Sequence, residues 1–283
     1  MLIFTTIKQL KTFLATQDKT IALVPTMGAL HFGHLSLVKH AKEIAEIVVV
    51  SIFVNKKQFN NLQDYQSYPK NLSADLKLLQ EQNVDVVFAP SDSEILPANQ
   101  DHFTISPAES LENCLCGKFR PKHFAGVCLI VAKLFNIVKP NFAIFGEKDF
   151  QQLTIIRQMV EYFNFDLQII ASPTVRNNNG LALSSRNSLL SENGLLIASN
   201  IYKALLQVAQ NPTNISDISH HLLNKGFDKI EYLEIRDSQD LALINPSEIS
   251  LNNKTQARIF IAVVLENVRL IDNIVLMPFS IFK

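Results

Sequence analysis

The sequence predicts an α/β protein, with a parallel β-sheet in the first 174 residues and a smaller α+β domain after it. β-branched apolar segments alternate with segments of helical apolar spacing through about residue 172. This alternation is typical of parallel sheets with right-handed crossovers. A polar, turn-rich break follows at 173–180. The 283 residues are 47% hydrophobic and 18% charged, so the chain can bury a substantial core.

The individual elements follow from these patterns in chain order. A strand at 21–24 leads through a glycine-bearing turn into a helix from about residue 35. Further strands are predicted at 47–54, 84–90, 141–145 and 166–171. Helices are predicted at 73–82, with Ser73 as its N-cap, and at 126–138 and 150–163. Residues 91–125 are less regular, and after the break a helical region at 191–226 precedes strands at 229–235 and 257–264.

Composition excludes several classes of protein. Lysine plus arginine equals aspartate plus glutamate, 26 against 26, which disfavours broad nucleic-acid binding. Cys114, Cys116 and Cys128 form no C-x-x-C pair and no disulfide framework, as expected in a reducing cytoplasm. No signal peptide is recognisable, and no apolar run approaches the roughly 20 residues that span a bilayer. We therefore expect a cytoplasmic protein without membrane partners.

The turn after the first strand predicts a phosphate site. Backbone N–H groups at such a helix start point to the mouth of the sheet, where phosphate binds. His31 and His34 fall on one helical face there, and imidazoles that donate from both nitrogens could bind an α-phosphate. A surface histidine pair and half of a zinc site are the simpler interpretations; no cysteine or carboxylate cluster nearby completes a metal site. The P-loop and G-x-G-x-x-G motifs are absent.

Three further segments carry chemistry-bearing side chains. Lys148 lies in a charged turn at a strand exit, where its ammonium could bind phosphate. The segment 183–187 could close hydroxyls and a guanidinium over a polyphosphate. The side-chain amides of Asn55, Gln58 and Gln152, which carry no charge themselves, could bind a hydroxy acid. Each segment also has a simpler interpretation: the turn with Lys148 as an exposed charged turn, 183–187 as a loop at a helix start, and the three amides as surface side chains.

Together these segments resemble one family, the pantoate–β-alanine ligases. The segments that carry the resemblance are 24–34, 51–55, 58–59, 120–121, 123–124, 126–127, 133–135, 145–152, 180–187 and 269–273. The resemblance covers nearly the whole chain. It implies a Rossmann-like catalytic domain at 1–174, a smaller α+β lid domain at 175–283 and a homodimer.

The family resemblance also implies a reaction. The pantoate carboxylate attacks the α-phosphorus of ATP, used with Mg²⁺, and gives pantoyl adenylate and pyrophosphate. The amine of β-alanine then displaces AMP to form pantothenate. The implied partners are these small molecules, with no nucleic acid and no membrane.

Site residues are carried over by matching motif. The catalytic residues implied are His31, His34 and Lys148, with no metal held by protein ligands. Pantoate would be bound by Gln58 and Gln152, and β-alanine by Gln58, Asn55, Arg120 and His123. The ATP site would be lined by Met27, Gly28, Ala29, Leu30, His31, Phe32, Gly33, His34, Gly146, Glu147, Lys148, Asp149, Val175, Leu183, Ser184, Ser185 and Arg186.

The chain departs from the family pattern at five positions. Lys56 replaces a proline and Lys122 a glycine, while Cys116 stands where a glutamate is frequent. Glu266 and Val268 stand where glycine and threonine are expected. We hypothesise a loosened loop around Gln58 and a changed ion-pair pattern around Arg120.

Two other functions share some of these features. A cytidylyltransferase would use the same His-x-Gly-His turn and would need no amine. A non-catalytic nucleotide-binding or tRNA-associated module is disfavoured by the neutral charge and by the presence of His31 and Lys148.

Overall fold

The computed structural model describes residues 1–97, 103–248 and 257–276. The chain divides into two compact units. The first unit comprises Met1–Pro107, Arg120–Glu147 and Ile155–Pro173. The second unit comprises Ala108–Phe119, Lys148–Thr154 and Thr174–Lys283. The sequence-based division at residue 174 stays a prediction.

The described part of the first unit contains a six-stranded parallel sheet, which confirms the predicted fold class. Its strands are β1 (Leu2–Phe4), β2 (Ile21–Thr26), β3 (Ile47–Ile52), β4 (Val86–Phe88), β5 (Phe142–Gly146) and β6 (Gln168–Ser172). They are ordered β1-β4-β3-β2-β5-β6. Even-numbered residues of β2 and β3, such as Val24 and Val50, lie in one core cluster because alternate strand residues share a face.

Twelve α-helices are found in the described residues: α1 (Ile7–Leu14), α2 (Phe32–Ile44), α3 (Leu62–Ser67), α4 (Leu72–Glu81), α5 (Asp92–Ile95), α6 (Glu109–Glu112), α7 (Leu115–Phe119), α8 (His123–Val138), α9 (Phe150–Tyr162), α10 (Glu192–Ala198), α11 (Asn200–Gln210) and α12 (Ile215–Asn224). None of these helices has the length and apolar character to cross a bilayer. Short 3₁₀ turns lie at Lys56–Gln58, Glu147–Asp149, Ser185–Leu189, Pro212–Asn214 and Pro246–Glu248.

The second unit contains an antiparallel sheet with the order β7-β8-β9. Its strands are β7 (Lys229–Asp237), β8 (Ala257–Leu265) and β9 (Val268–Val275). Leu265 pairs with Val268, and both residues between them have positive φ, 52° at Glu266 and 62° at Asn267. This geometry is that of a type I′ hairpin turn, which explains why glycine is expected at position 266.

The family departure at Glu266 has a local structural role. Its carboxylate accepts hydrogen bonds from the Ser191 backbone N–H at 2.8 Å and from the Ser191 hydroxyl at 2.5 Å. These bonds lower the pKa of the Glu266 carboxyl. Ser191 in turn caps α10. A hairpin position therefore gains a polar contact to the start of a helix.

Several sequence-based predictions of local structure were wrong or incomplete. The N-cap of α4 is Asn71, whose side chain accepts from the Ala74 N–H at 3.1 Å, and not Ser73. The helix predicted from residue 126 begins at His123. The first strand, the first helix and β9 were not predicted. The segment 91–125, predicted to be irregular, contains α5, α6 and α7.

Candidate active site

The strand order creates a topological switch point in the parallel sheet, between β2 and β5. β2 pairs with β3 along its whole length, whereas its described pairing with β5 is confined to Ala22–Phe142 and Leu23–Ala143. The two strands continue to Thr26 and Gly146. The strand order reverses between them, and ligands of open α/β sheets bind at such a switch point. The predicted phosphate turn follows β2 at this point.

The backbone of the phosphate turn is fixed by a carboxylate that sequence analysis missed. Asp75, 3% exposed on α4, accepts hydrogen bonds from the Ala29 N–H at 3.0 Å and the Leu30 N–H at 2.7 Å. Gly28 has a φ of 78°, and a Cβ there would lie 2.8 Å from an Asp75 oxygen. The glycine is therefore required both for its conformation and for the close approach of the carboxylate.

We expect Asp75→Ala to lower the free energy of unfolding by about 2–4 kcal/mol, because two N–H groups lose a charged acceptor. Turnover should fall with it, since the turn carries both predicted catalytic histidines. Chemical denaturation measures the first effect. The matched control is Ser73→Ala, an exposed change on the same helix. Equal stabilities of the Asp75 and Ser73 variants would contradict this role.

The two histidines cap α2 with their side chains. His31 is the N-cap, and its Nδ1 accepts from the Gly33 N–H at 3.1 Å. The Nδ1 of His34 accepts from the His31 N–H at 3.3 Å. The ring centroids are 4.1 Å apart. An Nδ1 that accepts a backbone N–H carries no proton, so the neutral ring holds its proton on Nε2.

This arrangement corrects one sequence-based expectation. Imidazoles that donate from both nitrogens were predicted, but the capping bonds occupy Nδ1 of His31 and of His34 as acceptors. Each ring thus donates through Nε2. Both rings also sit at a helix N-terminus, where the helix dipole favours an anion.

A second cluster follows β3. Asn55 is 2% exposed and caps the 3₁₀ turn through a bond from the Lys57 N–H at 3.0 Å. Its Nδ2 donates to Gln58 Oε1 at 3.0 Å and to the Gly126 carbonyl at 2.9 Å. A Cβ on Gly126 would lie 2.3 Å from the Lys57 carbonyl oxygen, so α8 approaches this turn closely only because glycine is there. Because Gln58 Oε1 accepts from Asn55, the amide has its Nε2 donors to offer a ligand.

Arg120 and His123 hold the backbone of the same turn. The Gln58 carbonyl accepts from His123 Nδ1 at 2.7 Å and from Arg120 Nη2 at 3.2 Å. Arg120 Nη1 lies 3.2 Å from His123 Nε2. Since a carbonyl only accepts, Nδ1 carries the proton and Nε2 accepts from the guanidinium. The structure thereby brings together the four side chains predicted to bind β-alanine: Asn55, Gln58, Arg120 and His123.

Lys122, which replaces a family glycine, has a left-handed backbone with a φ of 64°. Because an L-residue with a side chain is strained there, we expect Lys122→Gly to raise the free energy of unfolding by about 0.5–1 kcal/mol. Lys11→Gly, an exposed change in the middle of α1, should instead lower it by about 1 kcal/mol. Denaturation curves of both variants check the prediction, and destabilisation by Lys122→Gly would contradict it.

In the second unit, Lys148 and the loop after residue 174 come together. Lys148, Ser184, Asn187 and Asp272 line one small cavity with apolar neighbours. The Leu183 N–H donates to the Val175 carbonyl at 3.0 Å, which closes the loop between them. Lys148 Nζ lies 3.7 Å from Asp149 Oδ2. Lysine ammonium and serine hydroxyl groups bind phosphate in proteins, but this cavity, of about 10 Å³, has room for only about one water molecule.

Cys116 lies in a buried polar cluster of the second unit. Its Sγ is 3.1 Å from Tyr232 Oη and 3.5 Å from both terminal nitrogens of Arg269. Arg269 also pairs with Glu231 at 2.8 Å. Burial and the adjacent Cys116 raise the pKa of Tyr232 well above its usual range, so its phenol stays protonated. The hypothesis that connects Cys116 with Arg120 stays a prediction.

The other predicted residues are distributed as follows. In the first unit, Met27–His34 follow β2, and Gly146 ends β5 with Glu147 directly after it. In the second unit, Ser184 caps the 3₁₀ turn that contains Ser185 and Arg186 through a bond from the Arg186 N–H at 3.3 Å. Gln152 lies in the first turn of α9 and is partly buried. Across those residues, no group of three or more His, Cys, Asp or Glu side chains could hold a metal ion.

Comparison with known proteins decides among the candidate functions. The sequence model described as Pantoate-beta-alanine ligase matches residues 2–275. The chain belongs to the pantoate–β-alanine ligase family. It is 42% identical to the pantothenate synthetase of Cytophaga hutchinsonii over 98% of this chain and 99% of that one. It is 44% identical to that of Fervidobacterium nodosum over 95% and 96%.

Solved structures agree with this family assignment. The pantothenate synthetase of Thermus thermophilus superposes with a TM-score of 0.89 at 36% identity, over 98% of this chain and 100% of that one. The pantoate–β-alanine ligase of Francisella tularensis, complexed with "Beta-gamma ATP" and β-alanine, gives 0.85 at 40% identity over 98% of both chains. This chain is therefore a ligase of pantothenate biosynthesis, and the cytidylyltransferase alternative is set aside.

Proposed function

We propose that this ligase joins pantoate to β-alanine through a pantoyl-adenylate intermediate. A carboxylate oxygen of pantoate attacks the α-phosphorus of MgATP, and the bond to pyrophosphate breaks. The β-alanine amine then attacks the acyl carbon, loses a proton, and the acyl–oxygen bond to AMP breaks. A free carboxylate has no usable leaving group on its carbonyl carbon, whereas the adenylate carries AMP, which is a good one, so adenylation makes the second step feasible.

The observation that carries the proposal is the double-histidine cap of α2. Because both Nδ1 atoms accept backbone N–H groups, His31 and His34 are fixed as Nε2 donors at a helix N-terminus. Donors fixed before the reaction stabilise charge that develops on phosphate oxygens without reorganisation in the transition state. We assign His34 as the proton donor and His31 and Lys148 as partners that stabilise the α-phosphate.

The remaining assignments follow the clusters described above. We propose that the Met27–His34 turn, Gly146–Asp149, Val175 and Leu183–Arg186 bind ATP. Gln58 and Gln152 bind pantoate, and Gln58 with Asn55, Arg120 and His123 receives β-alanine. The Francisella tularensis ligase, complexed with "Beta-gamma ATP" and β-alanine, supports ATP and β-alanine as ligands of this chain.

Product analysis tests the proposed reaction. The enzyme is incubated with pantoate and Mg²⁺, with ATP or CTP, and with or without β-alanine. With ATP and β-alanine, we expect AMP, pyrophosphate and pantothenate in equal amounts. Without β-alanine, we expect no more pyrophosphate and bound adenylate than one equivalent of the enzyme. ADP and phosphate as products would contradict adenylation, and CTP turnover without amine would indicate nucleotidyl transfer to a stable product.

We further propose that the enzyme is a cytoplasmic homodimer that uses Mg²⁺ as the counterion of ATP. These three assignments rest on the family resemblance. Sedimentation equilibrium of the purified chain tests the dimer. Turnover titrated with Mg²⁺ at fixed ATP tests the metal requirement, and activity should disappear when a chelator removes it.

A further inference from the structure

A buried amide on β9 holds the backbone of the predicted catalytic lysine. The Nδ2 of Asn273 donates to the Lys148 carbonyl at 2.8 Å, and its Oδ1 accepts from Nη1 of Arg258. Asn273 is 3% exposed and Arg258 is 5% exposed. The amide thus uses both its donor and its acceptor inside the second unit. A primary amide has its donor and its acceptor on two separate atoms, so one side chain can bond to both partners at once.

The same sheet face contacts the residues that follow Lys148. Phe260 pairs with Asn273 across β8 and β9, so the two side chains share a face. The Phe260 and Phe150 ring centroids are 5.9 Å apart. The Arg258 guanidinium lies 3.8 Å from the centroid of the Phe150 ring. One hydrogen bond and two ring contacts therefore fix the start of α9 on this sheet.

The preceding residue, Asp272, fixes the predicted ATP-binding loop. Its carboxylate accepts bidentate hydrogen bonds from Arg176, from Nη1 to Oδ2 at 2.5 Å and from Nη2 to Oδ1 at 2.9 Å. Arg176 also donates to the Gly180 carbonyl at 3.1 Å, and its guanidinium carbon lies 4.1 Å from the centroid of the Tyr202 ring. Because successive strand residues point to opposite faces, Asp272 and Asn273 reach two different segments from one strand.

We propose that Asn273 is a positioning residue for Lys148. Acting through the Lys148 backbone, it sets where the ammonium lies relative to the loop that Asp272 and Arg176 hold. This inference rests on the proposed role of Lys148 at the α-phosphate. An error of about 1 Å in the position of a catalytic group can cost a hundredfold in rate. Because one strand holds both segments, the position of Lys148 relative to the loop is kept constant.

Two variants at position 273 separate the bonds. Asn273→Asp keeps the acceptor for Arg258 but loses the donor to the Lys148 carbonyl, and Asn273→Ala loses both. For both we expect kcat to fall about tenfold to a hundredfold, with little change in the KM for pantoate. Asn200→Asp is the matched control, because the Asn200 amide also donates to a backbone carbonyl, that of Ile197 at 2.8 Å, on α11. It should turn over at the wild-type rate.

A double-mutant cycle with Lys148→Met gives a readout that general destabilisation does not produce. If Asn273 acts through Lys148, then Asn273→Asp should slow the Lys148→Met enzyme by less than about twofold. Wild-type kcat in the position-273 variants, or full additivity in the double variant, would overturn the proposal. Wild-type turnover by Lys148→Met alone would refute the role proposed for the lysine, and the positioning role with it.

Stability is measured on every variant by thermal unfolding. If both position-273 variants fail to fold, the double variant Arg258→Met/Asn273→Leu takes their place, because it removes the buried charge together with the amide and leaves neither group unpaired. It also lacks the donor to the Lys148 carbonyl, so we expect the same fall in kcat and the same loss of effect in the Lys148→Met background. A double variant that folds and has wild-type kcat would overturn the proposal.

Discussion

Replacing His34 by alanine is expected to slow pantothenate formation by about a hundredfold or more. The variant loses an Nε2 donor that the capping bond has oriented, at the point where charge develops on the α-phosphate. The measurement is kcat at saturating ATP, pantoate and β-alanine. His40→Ala is the matched control, since His40 lies on the same helix but bonds to Ser172 Oγ at 2.8 Å.

A second substitution at position 34 distinguishes catalysis from helix capping. His34→Glu supplies the acceptor of a normal capping box, so its unfolding free energy should stay close to that of the wild type. It also puts a negative charge beside the predicted phosphate site, so its kcat should be no higher than that of His34→Ala. Recovery of activity by glutamate would mean that His34 contributes only to the cap.

Replacing Lys148 by methionine is expected to lower kcat by roughly a hundred- to a thousandfold, the usual cost of removing one preorganised charge-stabilising group. Methionine keeps an unbranched apolar stem and removes the ammonium. Lys203→Met, an exposed change on α11 of the same unit, is the control and should have wild-type kcat. Stopped-flow measurement of the first turnover should show the same loss.

The outcome that contradicts the Lys148 assignment is specific. If Lys148→Met raises the KM for ATP but leaves kcat unchanged, the ammonium contributes equally to binding ATP and to the transition state. Lys148→Arg adds a further test. It keeps the charge on a longer planar group, so it should restore only part of the rate.

The parallel sheet could be predicted because its strands carry local, periodic patterns. β3 is a continuous β-branched run, and α2 shows helical spacing after a glycine-bearing turn. β9 was missed because Arg269, Asp272 and Asn273 interrupt its apolar pattern. These side chains are satisfied by partners far away in sequence. The N-cap of α4 is Asn71 and not the predicted Ser73. Asn and Ser have similar preferences for the N-cap position, so residue type alone does not distinguish them.

The candidate site was predictable to the extent that its residues lie in contiguous motifs. Sequence patterns found the His31–His34 turn and the amides after β3, but their hydrogen bonds depend on the folded backbone. Asp75 is 46 residues from Ala29, and Asn273 is 125 residues from Lys148. No local spacing relates such residues. The signal that could have found Asp75 and Asn273 is a polar residue at a position that the helical or strand period assigns to the apolar face, as Asp75 lies one helical turn before Leu79.

The most direct test of the central claim follows the oxygen atoms of pantoate. Pantoate with a heavy oxygen isotope in its carboxylate is converted with ATP and β-alanine, and the AMP and pyrophosphate are analysed by mass spectrometry. A pantoyl adenylate transfers one labelled oxygen to the phosphate of every AMP, because the acyl–oxygen bond breaks in the second step. We predict one label per AMP and none in pyrophosphate. Unlabelled AMP would contradict the adenylate mechanism.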